Sequence, residues 1–322
     1  MTTIDKFEKG ELKFSDDEIL ELLNIPNNSR DYFRLLFVAD QLSRKKFNNR
    51  GYVFAQIGIN AEPCSLNCRF CSMGVEHYSM DADWRKDFST LEKEINSLQE
   101  HYFDDLFLMA TADYPMEEFL DIGKQVKPLL KHHQRFVANI GDFDYEIARA
   151  LKAYGFTGIY HIHRLREGID TLGVTEIREQ TIEAVQRAEM ELYYCIEPIG
   201  PEHTYEELLH EIKRARDLQI SAMAVMRRIP VPGTPLFELG KISSTELAKI
   251  VAVTNIVVNP SRSMNVHEPV TMALLAGVNQ LYAEVGANPR DIKSDTEKSR
   301  GFTPDKAWET LWEGGYYPPT GG

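Results

Sequence analysis

Short runs rich in β-branched and aromatic residues alternate with longer amphipathic stretches over most of this chain, beginning near residue 52. The short runs have the length and composition of strands, and the long stretches repeat apolar residues at helical spacing. Eight such strands indicate parallel strands joined by crossover helices, which in a chain of 322 residues predicts a closed (β/α)8 barrel of the TIM type. The predicted strands are Tyr52–Asn60, Asp105–Thr111, Arg135–Ile140, Gly158–His163, Leu192–Pro198, Ser221–Met226, Ser263–His267 and Asn279–Val285.

Helices also precede and follow the predicted barrel. A capping box, S-x-x-E, begins at Ser15 and predicts a first helix, and a second helix is expected over about residues 29–46. We therefore expect an N-terminal helical extension over 1–50, a barrel over 51–300, and a C-terminal tail with one short helix over 301–322.

Composition and charge limit the classes of protein to which this chain can belong. The content of 43% hydrophobic and 26% charged residues is typical of a globular chain. A formal net charge of −13 argues against a nucleic-acid partner, because binding to a phosphate backbone uses clustered Lys and Arg. The apolar runs are shorter than the roughly 20 residues of a membrane span, and the start lacks the pattern of a secretory signal. We therefore expect a cytoplasmic protein with no membrane partner.

Three of the four cysteines lie within eight positions, in the stretch "CSLNCRFC" from Cys64 to Cys71. A reducing compartment and the tight clustering argue against a disulfide. A structural zinc site needs four ligands, and here the fourth would have to be Cys195 or a distant His, because no second paired motif exists. A [4Fe-4S] cluster suits a short loop of thiolates, and three thiolates leave one iron open for chemistry. Because Cys64 closely follows the first predicted strand, the loop is expected at the mouth of the barrel.

The same stretch, with Phe70 before the last cysteine, resembles the C-x3-C-x-aromatic-C signature of the radical S-adenosylmethionine enzymes. The resemblance implies that Cys64, Cys68 and Cys71 hold a [4Fe-4S] cluster whose open iron binds S-adenosylmethionine. In that family an electron from the cluster splits S-adenosylmethionine into methionine and a 5'-deoxyadenosyl radical, which takes hydrogen from an unreactive C–H bond, while the protein positions the reactants. It also implies reduced ferredoxin or flavodoxin as the electron donor.

Two longer stretches are similar to one branch of that family, which holds biotin synthase, the hydrogenase maturase HydE and methylornithine synthase. "AQIGINAEPCSLNCRFCS" resembles the first strand and cluster loop of biotin synthase, and "IPVPGTPLFELGKISSTELAKIVAVTNIVVNPS" resembles the sixth unit of the branch. Biotin synthase holds a second, sulfur-donating cluster on three further cysteines and an arginine. Here one cysteine remains, Cys195, and Tyr193 and Asn265 fall at two of the ligand positions, so no second cluster is expected.

The resemblance also implies residues that bind S-adenosylmethionine. The "TAD" turn after the second strand corresponds to a turn that binds the amino group, although a helix-cap role for its aspartate is an equal alternative. Arg178 matches an arginine that faces the carboxylate in HydE-like enzymes, with a solvated helix charge as the alternative. "EPIGPE" resembles a turn beside the adenine and ribose. The expected cofactor-binding residues are Phe70, Thr111, Asp113, Arg178, Glu197 and Gly200.

Polar residues at the predicted ends of the fourth, sixth and seventh strands are the candidates for substrate binding. Buried polar groups need partners, and a ligand is one, so their convergence at one mouth predicts a pocket. Histidine together with arginine indicates an anionic, carboxylate-bearing small molecule, although a carboxylate–arginine pair within the protein is the alternative for Glu268. The candidates are His161, His163, Arg164, Arg227, Arg228, Asn265, His267 and Glu268.

The leading hypothesis is a radical enzyme that abstracts hydrogen from a small metabolite in cofactor biosynthesis. The missing sulfur-donating cluster favours a rearrangement of the HydE or methylornithine synthase kind, or maturation of an organometallic cofactor such as the iron-guanylylpyridinol cofactor of [Fe]-hydrogenase. Sulfur insertion as in biotin synthase is one alternative. A non-catalytic electron carrier or cluster chaperone is the other, but carriers usually close the cluster with a fourth cysteine.

Overall fold

The structure is a computed structural model that describes residues 3–8, 13–79, 82–284 and 302–318. Val285, the last residue of the eighth predicted strand, lies outside the described residues, as does part of the predicted C-terminal tail. In chain order the strands are β1 (Tyr52–Gly58), β2 (Asn60–Ala61), β3 (Trp84–Arg85), β4 (Asp105–Met109), β5 (Arg135–Asn139), β6 (Gly158–Tyr160), β7 (Glu191–Ile199), β8 (Ala222–Arg227), β9 (Ser263–His267) and β10 (Gln280–Glu284).

The helices alternate with these strands and also precede them. Three short 3-10 turns occur at Lys127–Leu129, Phe237–Leu239 and Thr271–Ala276. The α-helices are α1 (Thr3–Glu8), α2 (Asp16–Leu23), α3 (Arg30–Phe47), α4 (Phe88–Leu98), α5 (Met116–Val126), α6 (Tyr145–Ala153), α7 (Thr175–Arg187), α8 (Tyr205–Asp217), α9 (Ser244–Val258) and α10 (Pro304–Glu313).

Eight parallel strands close into a barrel in the order β1-β10-β9-β8-β7-β6-β5-β4. Each strand therefore pairs with its neighbours along the chain, and β10 pairs with β1 to complete the ring. The short strands β2 and β3 pair antiparallel outside the barrel. This arrangement confirms the predicted (β/α)8 fold. The predicted division into an extension, a barrel and a tail stays a prediction.

Side-chain caps and buried faces explain why the helices form where they do. The predicted capping box is present at the start of α2, where Ser15 and Glu18 bond reciprocally. Helix α9 is buried almost all round because it packs against the barrel on one side and against α3 and α8 on the other. Its buried Lys249 donates hydrogen bonds to the Ile25 carbonyl (3.2 Å) and the Tyr205 hydroxyl (2.8 Å). The N-terminal helices thus cover the outside of the barrel.

A buried ion pair closes the barrel at the N-terminal ends of its strands. Arg262, just before β9, donates two hydrogen bonds to the Asp105 carboxylate at 2.7 and 2.8 Å. Gln280 at the start of β10 donates to the same carboxylate at 2.8 Å. Access to the barrel interior is therefore from the opposite end, where the strands point. No helix in the described ranges is long and apolar enough to cross a membrane.

The floor of the barrel generates a prediction about stability and pH. Burial, together with the neighbouring Asp105 carboxylate, raises the pKa of Asp104 from 3.8 to about 6. Because folding disfavours the ionised form, this group lowers the free energy of unfolding as pH rises from about 4 to about 6. We expect Asp104→Asn to be more stable than the parent protein near pH 7, by up to about 3 kcal/mol, with the gain vanishing near pH 4. Urea unfolding of the metal-free protein at both pH values measures the difference.

Asp121→Asn, at an exposed position of α5, serves as the control and should show no such dependence on pH. A loss of stability in Asp104→Asn that is equal at both pH values would contradict the prediction.

Candidate active site

The three clustered cysteines lie on a loop that follows β2, at the C-terminal end of the first barrel strand. The loop folds back on itself, because the Cys64 amide donates to the Met73 carbonyl at 2.7 Å and the Cys71 amide donates to the Cys68 carbonyl at 2.9 Å. None of the three forms a disulfide, Cys68 is buried, and the other two are partly exposed. Together they line one cavity of about 870 Å³. The loop therefore presents three thiols to a single space at the barrel mouth.

The spacing of the thiols bears on which metal they fit. A single tetrahedral zinc ion, with Zn–S bonds of about 2.3 Å, would hold its sulfur atoms about 3.8 Å apart. Among the described residues, one set of His, Cys, Asp and Glu side chains has all its ligand atoms within 4.8 Å of one another, and it contains no cysteine. At least one pair of the thiols is thus more than 4.8 Å apart. This spacing suits a cluster of several metal atoms better than one zinc ion.

The side chains whose ligand atoms all lie within 4.8 Å of one another are Asp170, Glu202 and His203. Arginines already neutralise the two carboxylates of this set. Arg69 lies 3.1 Å from the Asp170 carboxylate, and Arg228 donates to Glu202 at 3.0 Å. The Arg69 amide also donates to the Asp170 carbonyl at 2.9 Å. These contacts tie the cysteine loop to the loop after β6, and we assign no metal to them.

Two side chains support the cysteine loop from behind. Nε2 of His77 lies 3.1 Å from the Cys68 carbonyl oxygen and 2.8 Å from that of Cys71, so its N–H donates to both. Asp113 accepts hydrogen bonds from the amide (2.5 Å) and hydroxyl (2.6 Å) of Ser65. Asp113 is exposed and does not line the thiol cavity. The structure therefore places this predicted cofactor ligand against the loop itself.

Most of the other predicted cofactor-binding residues do line the thiol cavity: Phe70, Thr111, Arg178 and Glu197. Gly200 does not, because Arg228 and Glu202 occupy the space beside it, each with an atom 2.4 Å from where a Cβ would lie. Its lack of a side chain accommodates that ion pair.

Sequence reasoning missed three residues of the same wall: Asn60, Asn139 and Gly141. The Asn60 amide exchanges hydrogen bonds with Thr111, accepting from its amide at 2.9 Å and donating to its hydroxyl at 2.8 Å. Gly141 approaches the backbone so closely that a Cβ would lie 2.2 Å from the Ala112 carbonyl oxygen. Each follows or ends a strand, so the strand-end rule that produced the other candidates would have found them.

Two arginines, the buried Arg178 and the partly exposed Arg164, face the thiol cavity with hydrogen-bond donors that have no partner. Arg178 donates to Asp142 at 3.2 Å, but its Nε and Nη2 have no hydrogen-bond partner. Arg164, which follows β6, has no partner for Nε and Nη1, and its Nε lies 4.0 Å from the Glu197 carboxylate. Burial, followed by repulsion from Arg164, lowers the pKa of Arg178. The cavity therefore contains guanidinium N–H donors without hydrogen-bond partners, which an anionic ligand would satisfy.

Two of the candidate histidines lie outside this cavity. The side chain of His161 packs beneath α7, where its Nε2 lies 3.0 Å from Asp142, and burial lowers its pKa. Nδ1 of His163 lies 2.9 Å from Glu211, whose other carboxylate oxygen accepts from the Tyr194 hydroxyl at 2.9 Å. His161 therefore orients Asp142 against Arg178, and His163 joins the barrel to α8.

Three further candidates are paired with one another or with neighbours. Arg227 donates to Glu268 at 3.3 Å and to the Ser244 hydroxyl at 3.2 Å. Arg228 pairs with Glu202 and lines a small side cavity next to Phe70. Glu268 thus pairs with Arg227.

A second chamber of about 560 Å³ lies inside the barrel below the thiol cavity. Aromatic side chains form much of its wall, and the candidates Arg164, Asn265 and His267 line it. The His267 ring stacks on Tyr282 with centroids 4.4 Å apart. Residues common to both cavities are Met109, Asn139, Arg164 and Glu197. A molecule in the chamber would therefore lie directly next to whatever the thiols hold.

The remaining cysteine, Cys195, is fully buried in β7. Burial raises the pKa of its thiol, and the neighbouring Glu197 carboxylate adds to the effect. Tyr193 and Asn265 both line the chamber. They are the two residues that the sequence analysis placed at ligand positions of a second cluster. The chamber thus contains aromatic and amide groups where a second cluster would need sulfur ligands.

Comparison with known proteins gives relatives over most of the chain. The biotin synthase of Clostridioides difficile (strain 630) is 25% identical over 262 residues, covering 77% of this chain and 78% of its own length. The biotin synthase of Anaplasma marginale (strain Florida) is 24% identical over 317 residues, covering 90% of this chain and 94% of its own length. No protein-family model matches the chain.

Solved structures with the same fold include methylornithine synthase (PylB), with a TM-score of 0.85 and 16% identity over 99% of this chain and 97% of that one. The [FeFe]-hydrogenase maturase HydG has a TM-score of 0.81 and 18% identity over 98% of this chain and 75% of that one. At these identities the structures show the fold, while the sequence relatives and the cysteine loop bear on the chemistry.

The support that His77 gives to the cysteine loop can be tested. We expect His77→Ala to lower the iron retained after anaerobic reconstitution by at least half, because two loop carbonyls lose their donor and the thiols lose their fixed spacing. Iron content and the visible absorption of the reconstituted protein measure the effect. His132→Ala, at an exposed site, is the control, and equal iron retention in both variants would show that the loop does not depend on His77.

Proposed function

We propose that this chain, a radical S-adenosylmethionine enzyme of the branch that holds biotin synthase, HydE and methylornithine synthase, removes hydrogen from a small carboxylate-bearing metabolite. The observation that carries this proposal is that two cavities adjoin each other, an upper one at the barrel mouth and a lower one inside the barrel. The three thiols line the upper one, and the aromatic chamber inside the barrel shares Met109, Asn139, Arg164 and Glu197 with it. A reactive species made in the upper cavity would meet a substrate in the lower one without leaving the protein.

Cys64, Cys68 and Cys71 are the ligands for a [4Fe-4S] cluster, and their three thiols leave one iron free for S-adenosylmethionine. With both bound, the pair supplies a 5'-deoxyadenosyl radical by reductive cleavage of S-adenosylmethionine. Without metal, burial raises the pKa of Cys68 to about 12, so its thiol is protonated and gives up that proton when it becomes a ligand. The neighbouring Arg164 favours the thiolate form.

The chain's own residues position the cofactor. Arg178 offers two unpartnered N–H donors in the thiol cavity, which we assign to the carboxylate of S-adenosylmethionine. Phe70, Thr111 and Glu197 form further parts of the wall around it. Asp113, bonded to Ser65, keeps the cysteine loop in place.

The chamber supports a rearrangement or the maturation of an organometallic cofactor, for which the iron-guanylylpyridinol cofactor of [Fe]-hydrogenase is one candidate. Sulfur insertion is favoured by the names of the sequence relatives, but it needs a sulfur source, and Cys195 is the single cysteine left outside the loop. A pure electron carrier would have no use for a chamber inside the barrel with unpartnered polar groups. We therefore rank the rearrangement or maturation reaction first.

The electron comes from outside the chain in this proposal, from a reduced ferredoxin or flavodoxin. The absence of a disulfide among the four cysteines suits a reducing compartment such as the cytoplasm.

The proposed chemistry predicts products that need no knowledge of the substrate. Protein reconstituted anaerobically with iron and sulfide, then given S-adenosylmethionine and dithionite, should release methionine and 5'-deoxyadenosine. We expect about four iron atoms per chain, as one [4Fe-4S] cluster requires. Chromatography of the products and iron analysis check both points. If the protein releases no more methionine and 5'-deoxyadenosine than Cys68→Ala does, the electron-carrier alternative is favoured. If it binds about six iron atoms per chain, sulfur insertion with a second cluster is favoured.

Arg178 generates a separate prediction about affinity. Hydrogen bonds to charged groups contribute about 1.5–3 kcal/mol each, so Arg178→Gln should raise the Kd for S-adenosylmethionine by at least about tenfold. Isothermal titration of the reconstituted protein in the absence of reductant measures this. The matched control is Arg149→Gln, an exposed arginine of α6 paired with Glu146, which should leave the Kd unchanged. An unchanged Kd in Arg178→Gln would remove the residue from the cofactor site.

A further inference from the structure

We infer that the barrel chamber recognises its substrate by two ends: an anionic group held by Arg164 next to the thiol cavity, and an N–H or O–H donor held by Asn265 in the chamber wall. A flat, apolar part would lie between them. The inference rests on the proposed function, because it describes the substrate of that same site. It narrows the substrate to an aromatic or unsaturated carboxylate that carries a hydroxyl or amino group away from the carboxylate.

Arg164 is suited to hold the anionic end. Its side chain is 20% exposed, and its Nε and Nη1 are buried without a hydrogen-bond partner. Glu197 lies 4.0 Å from Nε, too far for a hydrogen bond. A buried donor without an acceptor costs about 1–3 kcal/mol, and a carboxylate can accept from two guanidinium N–H groups at once. The site is therefore incomplete until an anionic group binds.

The position of Arg164 separates its role from that of Arg178. Arg178 lines the thiol cavity alone, whereas Arg164 lines both that cavity and the barrel chamber. Two ligands with one anionic group each would therefore be held by two different arginines. Arg164 therefore binds the substrate carboxylate. The hydrogen that is removed lies near the carboxylate end of the substrate.

Asn265 in β9 is suited to hold a donor. Its side-chain NH2 donates to the Gln280 carbonyl at 2.8 Å, and its Oδ1 is buried without a partner. The opposite orientation of the amide would set two oxygen atoms against each other, so the observed orientation is fixed by the backbone. The free atom can only accept, and a ligand must therefore bring an N–H or O–H group to it.

Neighbouring polar groups of the chamber have partners within the protein. Gln280 accepts from the Ser263 hydroxyl at 2.8 Å and donates to Asp105 at 2.8 Å. Gln56 is hydrogen-bonded to Glu284. The unmet donors of Arg164 and the unmet acceptor of Asn265 thus differ from the paired side chains of Gln280 and Gln56 beside them, and this difference points to a ligand.

The chamber wall between the two residues favours a flat apolar group. The rings of Phe54 and Phe107 lie with centroids 4.6 Å apart, and Tyr193 meets Phe107 edge-on at 5.2 Å. Tyr160 also lines the chamber. Aromatic walls offer large contact areas at little cost in side-chain entropy, and they bind planar groups by stacking or edge contacts.

The test uses benzoates as probes, because they combine a carboxylate with a flat ring and allow the far substituent to be changed. The probes are 3-hydroxybenzoate, 4-hydroxybenzoate, the two matching methoxybenzoates, and phenol. Each is titrated by equilibrium dialysis against the anaerobic reconstituted protein with S-adenosylmethionine bound and no reductant present. We expect at least one hydroxybenzoate to bind ten times more tightly than its methoxy counterpart, which cannot donate, and ten times more tightly than phenol, which has no carboxylate.

Variants assign the two preferences to their residues. Asn265→Leu should abolish the preference for hydroxy over methoxy, and Arg164→Gln should abolish the preference for the carboxylate over phenol. Arg149→Gln, at an exposed arginine of α6 paired with Glu146, is the control and should keep both. If a variant does not fold, the comparison of probes on the parent protein still tests whether the chamber prefers a carboxylate and a hydrogen-bond donor.

The inference is overturned if no probe binds, if hydroxy and methoxy compounds bind alike, or if the preferences survive in the variants. Since binding is measured without reductant, its outcome is independent of S-adenosylmethionine cleavage. Cleavage without the two preferences would reject the inference and leave the proposed function standing. The two preferences without cleavage would reject the proposed function instead.

Discussion

The ion pair between Arg262 and Asp105 determines from which end the barrel is reached. It lies at the N-terminal ends of the strands, is almost completely buried, and is joined by Gln280. Removing one partner of such a pair leaves an uncompensated buried charge, which typically costs about 3–5 kcal/mol. Because this end is closed, ligands enter at the C-terminal ends of the strands, where the cysteine loop, Arg164 and Asn139 lie. The closed floor therefore gives the site a single direction of access.

Charge balance at the mouth explains why thiols and arginines occur together there. Arg164 and Arg178 repel each other in a buried setting, and Asp142, Glu167 and Glu197 offset this repulsion only partly, since each guanidinium keeps unpartnered donors. Thiolate ligands and a carboxylate-bearing ligand would both add the missing negative charge. The residues of the site thus leave part of its positive charge unbalanced, and the proposed cofactors would balance it.

The sequence was sufficient to predict the barrel and the position of the cysteine loop, because strand–helix alternation and a three-cysteine motif are strong local signals. The candidate side chains at strand ends were harder to assign. The fourth predicted strand ends at Tyr160 and not at His163, so strand alternation does not apply to the residues after it. His163 contacts Glu211, Arg164 faces the chamber, and Arg227 at the end of β8 contacts Glu268. Partners such as Ser65 for Asp113 also come from distant parts of the chain.

The contrast between the two cavities argues that chemistry and substrate choice are set by different parts of this chain. The upper cavity resembles biotin synthase through its cysteine loop, and the curated relatives share identity across most of the chain. In the lower chamber, Tyr193 and Asn265 contribute a ring and an amide. These groups bind organic molecules by stacking and hydrogen bonding. The side chains that line the lower chamber therefore differ in chemistry from the thiols of the upper cavity, so the proposed binding of a cluster and the proposed choice of substrate depend on different residues.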